Sequence, residues 1–189
     1  KVYWVYNGRL YRSNLDGSNS ELFTELVAVT DMALDLSAGK IYFSQSFYSS
    51  FYGYSIKRAN LDGGEVESLA GYEYGRSDGI ALDLDQGKVY WSERGITPRI
   101  LRANLDGTGT ETIIDNVFGP FGLALDSAAG KLYWADWVSQ KIQRANLDGS
   151  ELEDLTSTVP TRPRYLTLDP AAGKMFWTGD RGASVWQAN

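Results

Sequence analysis

The carboxylates Asp35, Asp83, Asp126 and Asp169 each end a short apolar run and precede a turn, and four such groups around one axis would offer the hard oxygen ligands that calcium takes. Because they recur in register, capping of the following turn is the simpler role. The chain has no histidine and no cysteine, which removes the usual general base, the commonest metal ligand and any thiol nucleophile. No nucleophile and base are placed together by the remaining residues, so neither catalysis nor a cofactor or resident metal is expected.

Recognition chemistry is better represented. The stretch Ser46-Phe47-Tyr48-Ser49-Ser50-Phe51-Tyr52-Gly53-Tyr54-Ser55 interleaves aromatic rings with small polar residues, a composition that gives wide contact area at low entropic cost. With Tyr72, Tyr74, Phe118 and Trp137 it makes a candidate aromatic rim, and Arg76, Arg94, Arg162 and Arg181 are candidate charged anchors. The competing role for such a stretch is packing back onto its own sheet.

The elements that must carry these residues are written in a repeat. Lys-x-(Tyr/Phe)-(Trp/Phe) begins at Lys1, Lys40, Lys88, Lys131 and Lys174, in steps of 39, 48, 43 and 43 residues, and the aromatic stretch accounts for the long step. A period in the low forties means stacked, similar units. In the unit from Gly79 to Ile114, Gly79-Ile80-Ala81-Leu82-Asp83 reads as an inner strand and Lys88-Val89-Tyr90-Trp91-Ser92 as a second. Ile100-Leu101-Arg102-Ala103-Asn104 follows as a third strand and Thr110-Glu111-Thr112-Ile113-Ile114 as a polar edge. Leu105-Asp106-Gly107 is the tight turn before that edge, and it recurs at Leu15, Leu61 and Leu147. Four antiparallel strands per unit and no helical pattern predict an all-β propeller of four-stranded blades. Trp91, Trp134 and Trp177 are then rings between blades, each stabilising by about 4 to 6 kcal/mol on burial. The expected division is a single propeller domain over 1–189: a partial repeat at 1–29, repeats at about 30–77, 78–119 and 120–162, and a partial repeat at 163–189. Arg58, Arg102 and Arg144 are expected to pair with acidic groups of the blades, and the repeated lysines to be solvated.

Composition narrows the partner. With 43% hydrophobic residues and a net charge of -6 over 189 residues, the chain has enough apolar content for a core, and no apolar run reaches the roughly 18 residues of a membrane span. Nucleic acid is not expected as a partner, nor is membrane insertion.

These motifs resemble the class B repeat of the low-density lipoprotein receptor family, usually called the YWTD repeat. Tyr133-Trp134-Ala135-Asp136 stands at the signature position, with Tyr90-Trp91-Ser92-Glu93 and Phe176-Trp177-Thr178-Gly179 as variants. Arg-Ala-Asn-Leu-Asp-Gly is intact from Arg58, Arg102 and Arg144. The resemblance covers nearly the whole chain and implies a six-bladed propeller that mostly serves as an extracellular ligand-binding ectodomain. Tyr3-Trp4-Val5-Tyr6 and Tyr42-Phe43-Ser44-Gln45 lack the acidic last position, so the inter-blade hydrogen bonds implied by the family are open there. Six units would need roughly 260 residues, and about four and a half are present. A part of a six-bladed ring, a smaller ring closed by pairing of its two ends, and closure through an oligomer are the three expectations.

If the strands of a blade are A to D from the axis outward, the A–B and C–D turns lie at one end and the B–C loops and D–A linkers at the other. The first end is monotonous and the second carries the variation. A non-enzymatic module binding a protein or peptide through the B–C and D–A face is therefore the leading expectation. The alternatives are a carbohydrate-binding propeller and, more remotely, a metal-dependent lactonase-like or strictosidine-synthase-like enzyme.

Overall fold

The computed structural model describes residues 1–25, 27–48, 52–159, 161–180 and 184–188, with the backbone alone for Tyr48 and Tyr52. Among these residues every regular element is a strand. Blade 1 holds β1 (Val2–Tyr6), β2 (Arg9–Ser13) and β3 (Glu21–Leu22). Blade 2 holds β4 (Val29–Asp35), β5 (Lys40–Tyr48), β6 (Tyr52–Asn60) and β7 (Glu67–Tyr72). Blade 3 holds β8 (Gly75–Arg76), β9 (Ile80–Asp83), β10 (Lys88–Gly95), β11 (Arg99–Asn104) and β12 (Glu111–Ile114). Blade 4 holds β13 (Pro120–Asp126), β14 (Lys131–Asp136), β15 (Lys141–Asn146) and β16 (Glu153–Asp154). Blade 5 holds β17 (Pro163–Asp169), β18 (Lys174–Gly179) and β19 (Val185–Ala188). Sequential strands pair antiparallel within each blade, except that β8 and β9 both pair with β10. The inner strands β4, β9, β13 and β17 neighbour one another in turn, which makes the arrangement a β-propeller around a channel.

Alternation along each strand supplies the core between blades. Trp91 packs with Tyr42, Tyr54 and Ile56 of the preceding blade, and Trp134 packs with Ile100 and Ile114. Trp177 joins Phe121 and Ile142, and Phe43 closes on Leu10 and Phe23. All four of these signature rings are buried.

Two local expectations change. The aromatic stretch from Ser46 to Ser55, expected as part of the loop-bearing B–C and D–A face, is mostly a continued hairpin: the β5–β6 register runs out through Ser46↔Tyr54 and Phe47↔Gly53 to Tyr48↔Tyr52. Its alternation of aromatic and small residues is a strand pattern carried beyond the sheet. Of the repeated lysines, expected to be solvated, Lys40, Lys88 and Lys131 are half-buried and hydrogen-bonded. Lys40, Lys88 and Lys131 donate to Oδ1 of Asn60, Asn104 and Asn146 at 2.5, 2.6 and 2.6 Å. Each lysine stands directly opposite its asparagine across the second and third strands. The first residue of one motif is thus bonded to the asparagine of the other, a physical reason for the two to recur together.

Candidate ligand-binding face

At the end carrying the A–B and C–D turns, polar groups are committed to the scaffold. Asp35, Asp83, Asp126 and Asp169 accept the backbone N–H of Ala38, Gln86, Ala129 and Ala172, so they cap turns at the far end of the inner strands. Asp16, Asp106 and Asp148 accept both the N–H and the hydroxyl of Ser18, Thr108 and Ser150, and those bonds hold their carboxyls below the ordinary carboxylate range. Arg58, Arg102 and Arg144 pair with Glu67, Glu111 and Glu153. Arg12, Arg58 and Arg102 also donate from Nη1 to the carbonyls of Leu61, Leu105 and Leu147 in the next blade, at 2.7, 2.8 and 3.0 Å.

At the other end the last signature residue ties loops together. The buried Asp136 accepts N–H from Phe118 and Gly119 through Oδ2 and from Val138 and Ser139 through Oδ1. Gln45, which has no acid to offer, donates instead to the Val27 carbonyl at 2.7 Å. Glu93 accepts from the Tyr54 hydroxyl at 2.8 Å and from Arg99, while Trp91 Nε1 donates to that same hydroxyl at 3.2 Å. Tyr54 is therefore a joint between blades 2 and 3. It is 5% exposed, and burial raises its hydroxyl well above the ordinary tyrosine range.

Two open spaces lie at this end among the described residues. The first is a groove of about 520 Å³ between the β5–β6 hairpin and the blade 2–3 linker, lined by Phe47, Tyr72 and Tyr74 with Tyr54 as its floor. Tyr72 and Tyr74 meet edge-on at 6.2 Å and both are exposed, as is Phe47. The Arg99 guanidinium lies 5.6 Å from the Tyr72 ring. Gly53 and Gly71 keep the two strands close here, since a Cβ on either would come within 3.1 and 2.9 Å of the opposite carbonyl.

The second space, about 400 Å³, is the channel mouth, where Arg76, Arg94 and Trp137 join Thr30, Asp78 and Phe121. Asp78 is buried and paired with Arg94, with Arg76 at 3.6 Å. Phe121 lies between two guanidiniums, Arg94 at 4.2 Å and Arg164 at 5.2 Å, with Tyr165 edge-on at 5.7 Å. The Tyr165 hydroxyl donates across the mouth to the Thr30 carbonyl at 3.4 Å. Burial and the nearby Asp31 and Asp78 push that phenol up to about 12. Burial likewise raises Asp31 to about 7, although Ile80 and Met32 donate to its two oxygens.

Of the residues singled out from sequence, Phe47, Tyr54, Tyr72 and Tyr74 meet in the groove and Arg76, Arg94 and Trp137 in the mouth. Arg162 stacks over Trp137 at 4.1 Å, and Phe118 is exposed beside the same loop. The side chains of Tyr48 and Tyr52, and Phe51 and Arg181 altogether, lie outside the described residues. Sequence reasoning missed Thr30, Asp78, Phe121, Arg164 and Tyr165. A signal existed: five residues before the repeated aspartate the inner strands carry Thr30, Asp78, Phe121 and Arg164, four different chemistries at one position.

The comparisons with known proteins agree with this geometry. Residues 130–156 match the low-density lipoprotein receptor repeat class B. The human low-density lipoprotein receptor-related protein 5-like protein is 32% identical over 159 residues, covering 82% of this chain and 61% of that protein. Among solved structures, a chain of a nidogen/laminin complex superposes with a TM-score of 0.82 at 27% identity, over 94% of this chain and 69% of that one. A gluconolactonase of Xanthomonas campestris superposes at 0.75 with 20% identity, over 96% and 65%, a likeness of fold alone. The chain spans about a third to three fifths of the length of the first curated relatives it matches.

Proposed function

We propose, on the premise that this chain belongs to the low-density lipoprotein receptor class B (YWTD) repeat propellers, that it is a non-enzymatic extracellular module binding a protein or peptide through its B–C and D–A face. The observation that carries the reading is where uncommitted groups lie. On the turn end Lys40, Lys88 and Lys131 and the repeated arginines and aspartates are bonded to the blades. On the linker end Phe47, Tyr72, Tyr74 and Phe118 are exposed, and Arg162 and Arg164 make ring contacts with no carboxylate at ion-pair distance among the described residues. Rigid aromatics beside arginines are the side chains that dominate protein interfaces. A propeller within the nidogen/laminin complex, an assembly of two proteins, supports the same class of partner.

A hydrolase reading has less support. The four inner-strand aspartates cap turns at the opposite end of the channel, Asp78 is neutralised by Arg94, and Asp31 is held by two backbone donors. The glycan reading keeps one favourable feature, the exposed Tyr72 and Tyr74 faces beside an open groove.

The test uses the folded chain as bait against extracellular proteins, in parallel with a glycan array. Tyr72→Ser with Tyr74→Ser, and separately Arg162→Glu with Arg164→Glu, should lower capture by roughly thirtyfold or more, the effect of an interface hot spot worth about 2 kcal/mol. Asp106→Ala with Asp148→Ala, on the turn end, should not. Capture lost in the turn-end pair alone, or binding to glycans only, would refute the protein-binding reading.

A further inference from the structure

The guanidiniums of this fold are held in one recurring way, with a carboxylate at the edge and an aromatic ring at the face. Arg12 bonds Glu21 and lies 5.5 Å from the Phe23 ring, Arg58 bonds Glu67 and lies 6.0 Å from Tyr42, and Arg144 bonds Glu153 and lies 5.6 Å from Tyr133. At the linker end the pattern returns twice. Arg94 joins Asp78 to Phe121, and Arg99 donates to Glu93 through Nε and Nη2, at 3.1 and 3.0 Å, while it lies over Tyr72. Every cation over a ring among the described residues is an arginine. The planar, weakly hydrated guanidinium stacks on a ring and bonds a carboxylate through its edge at once, which an ammonium does not match.

The groove between the β5–β6 hairpin and the blade 2–3 linker has the carboxylate and the rings of this pattern. Glu73 lines it between Tyr72 and Tyr74. It is exposed and makes no ion pair or hydrogen bond among the described residues. Tyr74 has its ring contact with Tyr72, and neither Tyr74 nor Phe47 meets a guanidinium among those residues. Arg99, beside Tyr72, is already engaged by Glu93. Blade 2 has its four strands and continues directly into the linker, so both walls of the groove are in place. Gly53 and Gly71, paired with Phe47 and Ser55, put no side chain along it, which lets a second backbone approach. Its volume of about 520 Å³ is that of a ligand site and not of a packing void.

We infer that this groove is a docking site for an arginine carried by an extended segment of a protein partner. The Tyr74 and Phe47 rings take the face of the guanidinium and Glu73 takes its edge, while the flanking backbone lies along Gly53 and Gly71. The net charge of -6 draws a cationic segment toward the chain. The inference rests on the reading of this face as a protein-binding surface and adds to it the chemistry of one anchor.

The probe is the peptide acetyl-Gly-Gly-Arg-Gly-Gly-amide, titrated into the intact chain and followed by amide NMR shifts, with citrulline or lysine replacing arginine in control peptides. Saturable shifts are expected at the Gly53 and Gly71 amides. Citrulline, a planar neutral isostere, should bind roughly tenfold more weakly, the combined effect of exposed cation–π contacts and one exposed ion pair. Lysine should fall between the two. Glu73→Gln and Tyr74→Leu, both at exposed positions, should each weaken the arginine peptide by about threefold and affect the citrulline peptide less. Arginine and citrulline peptides bound alike, no saturable binding, or shifts that avoid the groove overturn the inference. So does methylguanidinium binding as tightly as the peptide, which would give the groove to a free cation. A chain that captures a protein through Tyr72 and Tyr74 yet does not distinguish the peptides sinks the inference alone. A chain that selects the arginine peptide but captures no extracellular protein sinks the protein-binding reading and keeps the chemistry of the groove.

Discussion

Asp136→Ala should be among the most destabilising single changes outside the aromatic core. The carboxylate accepts four backbone N–H groups, at 3.0 Å from Phe118 and Gly119, 3.2 Å from Val138 and 2.8 Å from Ser139. It thereby ties the linker entering blade 4 to that blade's B–C loop. Alanine removes all four acceptor contacts. Water can reach some of the freed donors, but Gly119 N–H is buried and crowded, since a Cβ there would come within 2.7 Å of the Val138 side chain. If two donors stay dry at about 1 to 3 kcal/mol each, the loss is about 4 kcal/mol. For a chain of this size that lowers Tm by about 8 to 16 °C. Urea unfolding followed by tryptophan fluorescence measures it directly. Asp136→Asn should recover little, because its amide turns a donor toward two of the four N–H groups. A loss below about 1 kcal/mol for Asp136→Ala would mean that solvent satisfies the loop and that the carboxylate does not hold it.

Two further outcomes are expected. Trp134→Ala should cost about 3 to 5 kcal/mol, because a wholly buried ring leaves a cavity at the blade 3–4 joint; an unchanged urea midpoint would refute the packing role. Asp31, raised to about 7 by burial, keeps its proton in the folded state after the unfolded chain has released it. Its contribution to stability therefore falls as pH rises from about 4 to about 7 and is flat outside that window. Asp31→Asn should remove this slope, so the difference between wild-type and variant unfolding free energies should change across the window; a constant difference from pH 4 to pH 8 would refute it.

The blades were legible because the same packing problem is solved repeatedly: Trp91, Trp134 and Trp177 recur at one position, and recurrence itself marks them as joints. The lysines were misjudged because a lysine at a strand start looks solvated until its cross-strand neighbour is known. The register that sets Lys88 opposite Asn104 is tertiary information. Tyr54 sits within an aromatic stretch of uniform composition, and nothing in the sequence distinguishes its ring, bonded to Glu93, from the exposed ring of Phe47. The channel mouth was readable in principle from the divergence among Thr30, Asp78, Phe121 and Arg164. Strand positions near the axis suggest packing, however, and which of them end at an opening depends on where the inner strands begin.

The hydrogen bond from Tyr165 to Thr30 joins residues 135 apart in the chain. Holding together the ends of a flexible segment that long costs about 4 kcal/mol in the length-dependent entropy alone, and a hydroxyl-to-carbonyl bond returns about 1 kcal/mol. The contact cannot bend the array by itself. It exists because the three successive sheet-to-sheet rotations from blade 2 to blade 5 add up to the angle that brings the first of these residues to the last. Its length therefore sums the curvature of the arc from blade 2 to blade 5, and a wedge driven between any two neighbours within it would be read out there as a change in span, far from where the wedge entered.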